Sequence, residues 1–244
     1  MTDYPEPDEP RLTARTVTGH ALSLYRAEPA RIAITATVVF LPVDVLTISL
    51  HGASAHLLEV GHTGLALGAQ GIASLLITAG QVFLAGVLDD LVGSRLENKP
   101  SLSPTEELRE LPLARLITVD ILVSIIAAVA ALAFVLPGLI AFALFGIVGP
   151  VINIEDRGVV GSMRRSFELV RPHLWVACIV IAIPLAVEYV VDNWFLSYGH
   201  SYPLLAILVV GVGLSVTMRA MISLLEVILG HSLIHGSRAV AAVI

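Results

Sequence analysis

Six apolar runs, separated by polar connectors, constrain this 244-residue chain more than any other feature. They cover residues 32–50, 65–88, 116–135, 139–154, 174–191 and 204–225. An α-helix rises 1.5 Å per residue, so roughly 20 apolar residues cross a hydrocarbon core of about 30 Å. Inside that core the backbone must satisfy its own polar groups, which leaves helices or closed barrels. Runs this long, without strand-like alternation, predict helices. The expected fold is all-α: a polytopic integral membrane bundle of six transmembrane helices. Composition agrees, with 56 % hydrophobic and 14 % charged residues and a mean hydropathy of +0.87. Soluble domains carry about 25 % charged residues.

Two connectors carry a helical period of their own. In residues 13–28, Val17, Ala21, Leu24 and Tyr25 share a face, with Arg15 and Arg26 near its edges. In residues 158–172, Val159, Val160, Met163, Phe167 and Val170 fall together, opposite Arg164, Arg165, Glu168 and Arg171. Both segments are expected as interfacial amphipathic helices. Their arginines would rest on anionic head groups, and Trp175 would mark the membrane boundary. Residues 1–12, with three prolines and four acids, read as a disordered cytoplasmic tail. Residues 13–235 form the membrane domain, and 236–244 a second cytoplasmic tail.

The basic residues are thirteen arginines and one lysine, a bias that fits a prokaryotic source. Thirteen of these fourteen cations precede the first run, follow the sixth, or lie in the second–third and fourth–fifth connectors. The alternate connectors, 51–64, 136–138 and 192–203, hold none. The positive-inside rule then places both termini in the cytoplasm and the protein in the inner (plasma) membrane. The fourteenth, Arg219, lies late in the last run and is expected to snorkel to the inner boundary. Pro137 and Gly138 predict a sharp turn at 136–138. The short fourth run either crosses fully or is re-entrant, and both alternatives leave the topology unchanged.

Ionisable groups within apolar runs are costly, so Asp44, Arg219 and Glu226 are the intramembrane candidates. Asp44 lies past the midplane toward the outer side, two residues after Pro42. Its plainer role is a hydrogen bond to Thr47 or to backbone freed by that proline. Glu155 or Asp156 is expected to lock onto Arg164 or Arg165. Asp120 and Glu188 fall at the inner and outer ends of their runs. No metal site is expected: His51, His56, Glu59, His62 and His200 match no ligand spacing, and Gly61 interrupts any helix holding them. His231 and His235 form HxxxH without the catalytic glutamate of metalloproteases, and read as interfacial. Gly64, Gly68 and Gly71 have the small-residue spacing of tight helix packing. The lone Cys178 permits no internal disulfide. With no basic surface interleaved with aromatics, nucleic acid is not a partner. No catalytic triad, phosphate loop or dinucleotide fingerprint is present, so neither an enzyme nor a cofactor is expected.

Several short motifs resemble the membrane domain associated with bacterial glycerophosphoryl diester phosphodiesterases and its stand-alone relatives. They are Tyr25–Arg26, Pro42, Pro137–Gly138, Pro150–Val151–Ile152, Glu155, Arg165–Ser166, Leu169–Val170 and Trp175. The resemblance implies a six-helix membrane domain. It does not carry the phosphodiesterase activity, because that catalytic domain has no counterpart in this chain. The expected function is non-enzymatic: binding a membrane or cytoplasmic partner protein, or organising lipid at the inner leaflet. The alternative is a small transporter or permease-like subunit for a lipid or apolar solute, suggested by Pro42, Pro150 and Pro184 within runs.

Overall fold

The computed structural model describes residues 12–96, 112–133, 135–198, 210, 211 and 213–236. The acidic tail before Leu12, the connector 97–111 with Lys99 and Arg109, His200 with the last outer loop, and the tail after Gly236 lie outside the described residues. So does the first part of the last apolar run.

Helix α1 (Ala14–Ala27) begins at a capping box, in which Thr13 and Thr16 each satisfy the other's backbone N–H. Its Val17, Ala21 and Leu24 pack into the bundle. The chain turns at Glu28, and Pro29 starts α2 (Pro29–Glu59) where a missing N–H costs nothing. Gly61, at φ +82°, makes the return to α3 (Thr63–Leu96) possible. The expected first outer loop is therefore largely helical. Ser54 Oγ ties the pair by donating to Ala66 O at 3.1 Å.

Helix α4 (Leu113–Ala133) returns against α5 (Val135–Phe145). The turn expected at Pro137–Gly138 is not at those residues, which both lie within α5. A short break at Gly146–Ile147 follows, and glycine suits it because a Cβ at 146 would lie 2.6 Å from Ile181 Cδ1. Helix α6 (Val148–Glu155) then ends at Asp156, in the left-handed conformation.

Helix α7 (Val159–Val170) corrects one expected face. Ser162, Ser166 and Val170 are buried, with Val159 and Met163 beside them, while Val160 and Phe167 point outward. The small serines permit close approach, and Ser166 Oγ donates to Leu144 O at 2.8 Å. A 3-10 turn leads to one helical turn, α8 (Leu174–Ala177), then a π turn at Cys178–Ala182 and α9 (Ile183–Tyr198). Helix α10 (Gly213–His235) ends the described chain and is buried over most of its surface.

Among the described residues the architecture is all-helical, and five helical stretches are long and apolar enough to cross a membrane. The protein is an α-helical membrane protein. Its outer surface carries a stripe, Trp175, Ile179, Ile183, Val187, Val190 and Trp194, all exposed. The two indoles are 19 residues apart, about 28 Å along a helix. That matches a hydrocarbon core of about 30 Å with tryptophan at each boundary. The close helix contact expected at Gly64, Gly68 and Gly71 is not made among the described residues, where nothing lies within 4 Å of a Cβ at any of them. It occurs at Gly230, where a Cβ would lie 2.6 Å from Pro150 Cβ.

Candidate functional site

Helix α10 carries Arg219 on the turn that faces both α2 and α9. Its guanidinium Nη1 donates to Asp44 Oδ1, and its Nε donates to Glu188 Oε1 at 2.7 Å. All three side chains are at least nine-tenths buried. The guanidinium carbon also sits 5.1 Å from the centre of the Phe40 ring, a favourable cation–π distance. Arg219 therefore does not snorkel. Two carboxylates and an aromatic face make the interior better than the interface for a charge that cannot be lost. Asp44 finds Arg219, rather than Thr47, as its charged partner.

Sequence reasoning placed Glu188 at a boundary and missed it as the third member. It lies 13 residues from Trp175 and 6 from Trp194, within the bilayer stretch those indoles bracket. That position, with a carboxylate amid Val187 and Val190, was the signal available.

A second polar cluster lies further along α10. His231 Nε2 is 2.9 Å from Asp89 Oδ1, with both side chains buried. His231 is thus a bundle residue rather than an interfacial one, while His235 stacks on it at the exposed helix end, 5.6 Å between ring centres. Asp89 follows the second apolar run, yet Leu91 and Val92 continue the buried face beyond it. Next to this pair lies a cavity of about 100 Å³, lined by α3, α4, α5, α6, α9 and α10. Its polar walls are Gln81, Asp89, Asp120, Ser124, Asn153 and Glu226. Glu226 and Arg219, two turns apart, consequently serve different sites.

The remaining candidates gather at the ends of α6 and α7. Glu155 accepts from Arg165 Nε at 3.2 Å and from Arg157, so the expected lock to Arg165 forms. Arg115 Nη1 donates to Asp156 at 2.8 Å, and Arg164 Nε to Glu168 at 2.9 Å. Arg164 is 82 % exposed. Arg171 lies 6.0 Å from the Phe167 ring centre. Trp175 is 81 % exposed. Arg15 and Arg26 are exposed on α1, and Pro42 on α2, whereas Gly138, Pro150 and Ser166 are buried. Glu28 on the α1–α2 turn accepts from Arg95 at 2.7 Å, fastening α3 to that turn.

His51 Nδ1 lies 2.8 Å from Thr47 O, within its own helix. His56 and Glu59 are 3.8 Å apart and largely exposed. Among the described residues no three His, Cys, Asp or Glu side chains converge to chelate a metal directly. Comparison with protein-family models, curated proteins and solved structures finds no match.

Proposed function

We propose that this is a six-crossing protein of the prokaryotic inner membrane, with both termini cytoplasmic, that organises anionic lipid at the inner leaflet. It works by binding, without catalysis. The observation that carries this is the outward face of α7 and α8. Val160 is 77 % exposed, Phe167 38 % and Trp175 81 %, beside Arg164 and Arg171. Apolar groups for the acyl boundary and guanidiniums for phosphate on one surface suit an acidic leaflet. The arginine distribution supports the orientation, and the α4, α5–α6 hairpin supports counting six crossings. Membership of the phosphodiesterase-associated membrane-domain family rests on the motifs quoted for it.

The test is reconstitution into nanodiscs holding equal phosphatidylglycerol and phosphatidylcholine, followed by counting retained lipids by native mass spectrometry. Wild type should retain phosphatidylglycerol in excess. The variant Arg164→Gln/Arg171→Gln/Trp175→Ala should retain both equally, and an unchanged excess rejects the proposal. Compartment-specific reporters at residue 200 and at either terminus test topology. Signals from one compartment at both places overturn it.

A second reading, passage of a lipid or apolar solute, is favoured by a groove of about 340 Å³ between α1, α2 and α10. Tyr25, Ala33, Leu41, Val216 and Ala220 line it, a surface suited to an acyl chain. Under that reading Leu41→Trp abolishes activity while the α7 variant retains it.

A further inference from the structure

The outward side of α7 is an alternating stripe. Val160, Arg164, Phe167 and the C-cap Arg171 follow one another at intervals of four, three and four residues, so they stand in one row along the helix. All four are exposed, and the exposed Trp175 extends the row onto α8. The two cations are seven residues apart, about 10 Å along the axis, with Phe167 between them. Arg164 gives its Nε to Glu168 Oε1 at 2.9 Å, which leaves both terminal nitrogens of its fork for another anion. Arg171 has no carboxylate partner among the described residues. Its guanidinium carbon lies 6.0 Å from the Phe167 ring centre, toward the middle of the row. Charge around the row points the same way. From Glu155 to Arg171 the chain carries four arginines against three carboxylates, and Arg115 adds a fifth arginine by pairing with Asp156. Each of those carboxylates already accepts from an arginine. Two positive charges are left over, and an acidic leaflet offers phosphate for them.

We propose that the lipid held on this face carries two phosphates joined through a single glycerol, one phosphate on Arg164 and the other on Arg171. Its acyl chains lie against Val160, Phe167 and Trp175. This rests on the anionic-lipid reading of α7 and names the class of lipid. A lipid with one phosphate meets one guanidinium and leaves the other in water. Once the first phosphate of a two-phosphate lipid is bound, the second arrives tethered rather than from the bulk leaflet, so one such lipid outcompetes two independent ones.

The experiment places the full chain in nanodiscs holding phosphatidylglycerol and diphosphatidylglycerol at equal phosphate in a phosphatidylcholine background, and counts retained lipids by native mass spectrometry. Wild type should prefer diphosphatidylglycerol to phosphatidylglycerol by about fivefold per phosphate, the factor that one further cation–phosphate contact supplies. Arg164→Gln and Arg171→Gln should each bring the two anionic lipids to parity, with both still retained over phosphatidylcholine because one guanidinium remains. His56→Gln on the exposed outer turn should leave the preference as it is. Parity in wild type, with phosphatidylcholine still disfavoured, overturns the two-phosphate assignment and leaves the anionic-lipid reading standing. An undiminished preference in either single variant does the same. Equal retention of all three lipids by wild type overturns both.

Discussion

Helices α10 and α7 both carry arginines, and they treat them in opposite ways. On α10, Arg219 is 4 % exposed and bridges carboxylates 175 and 31 residues away in sequence. On α7, Arg164 is 82 % exposed and pairs with Glu168 one turn along its own helix. A local pair in high dielectric contributes little, because water already solvates both ions. A pair shut inside the bundle also adds little in net terms, since desolvation offsets attraction. The asymmetry appears on breaking them. A bereft exposed ion returns to water, whereas a bereft buried ion has nowhere to go.

The sharpest way to break that comparison is Arg219→Gln, which removes the guanidinium that Asp44 and Glu188 both accept from. It should cost about 3–5 kcal/mol, read from chemical unfolding in mixed micelles. The triple variant Arg219→Met/Asp44→Leu/Glu188→Leu should regain most of that stability, because apolar groups of similar volume replace all three charges. A triple variant as unstable as the single would mean that the cluster itself holds α2, α9 and α10 together. Next comes Gly230→Ala, whose Cβ would stand 2.6 Å from Pro150. Overpacking there should destabilise by about 1–3 kcal/mol. Gly68→Ala, with nothing within 4 Å among the described residues, should stabilise slightly by removing backbone freedom. On α7, Ser166→Ala removes the hydroxyl bond to Leu144 and should cost about 0.5–1.5 kcal/mol. Arg164→Gln should change stability by no more than a few tenths of a kcal/mol, while a loss comparable to Arg219→Gln would dissolve the contrast.

The same contrast marks what the sequence could disclose. The apolar runs and the capping Thr13, Pro29 and Gly61 are local signals, and the helices follow them. The Glu155–Arg165 contact was also legible, because ten residues and one turn separate the partners. Arg219 was not, since no local pattern connects it with Asp44 or Glu188. On α7 a division into apolar and polar faces misplaced Val160 and Phe167. Serine hydroxyls that reach a neighbouring backbone carbonyl bury as readily as methyl groups, and there they pack more closely. Glu226 resembled the end of a span because carboxylates usually stop one. Val227, Ile228 and Leu229, all buried, show the helix continuing past it.

The π turn at Cys178–Ala182 has a consequence for how this part of the chain can change length. Five turns of ordinary helix take about 18 residues, yet Trp175 and Trp194, which face the same way, are 19 apart. The π turn absorbs the surplus residue. Deleting the exposed Ile179 would return the stretch to plain helix and leave Glu188 aimed at Arg219. Deleting a residue between Ile183 and Glu188 would swing that carboxylate by about 100°. The chain thus carries one spare residue, stored where losing it does least harm.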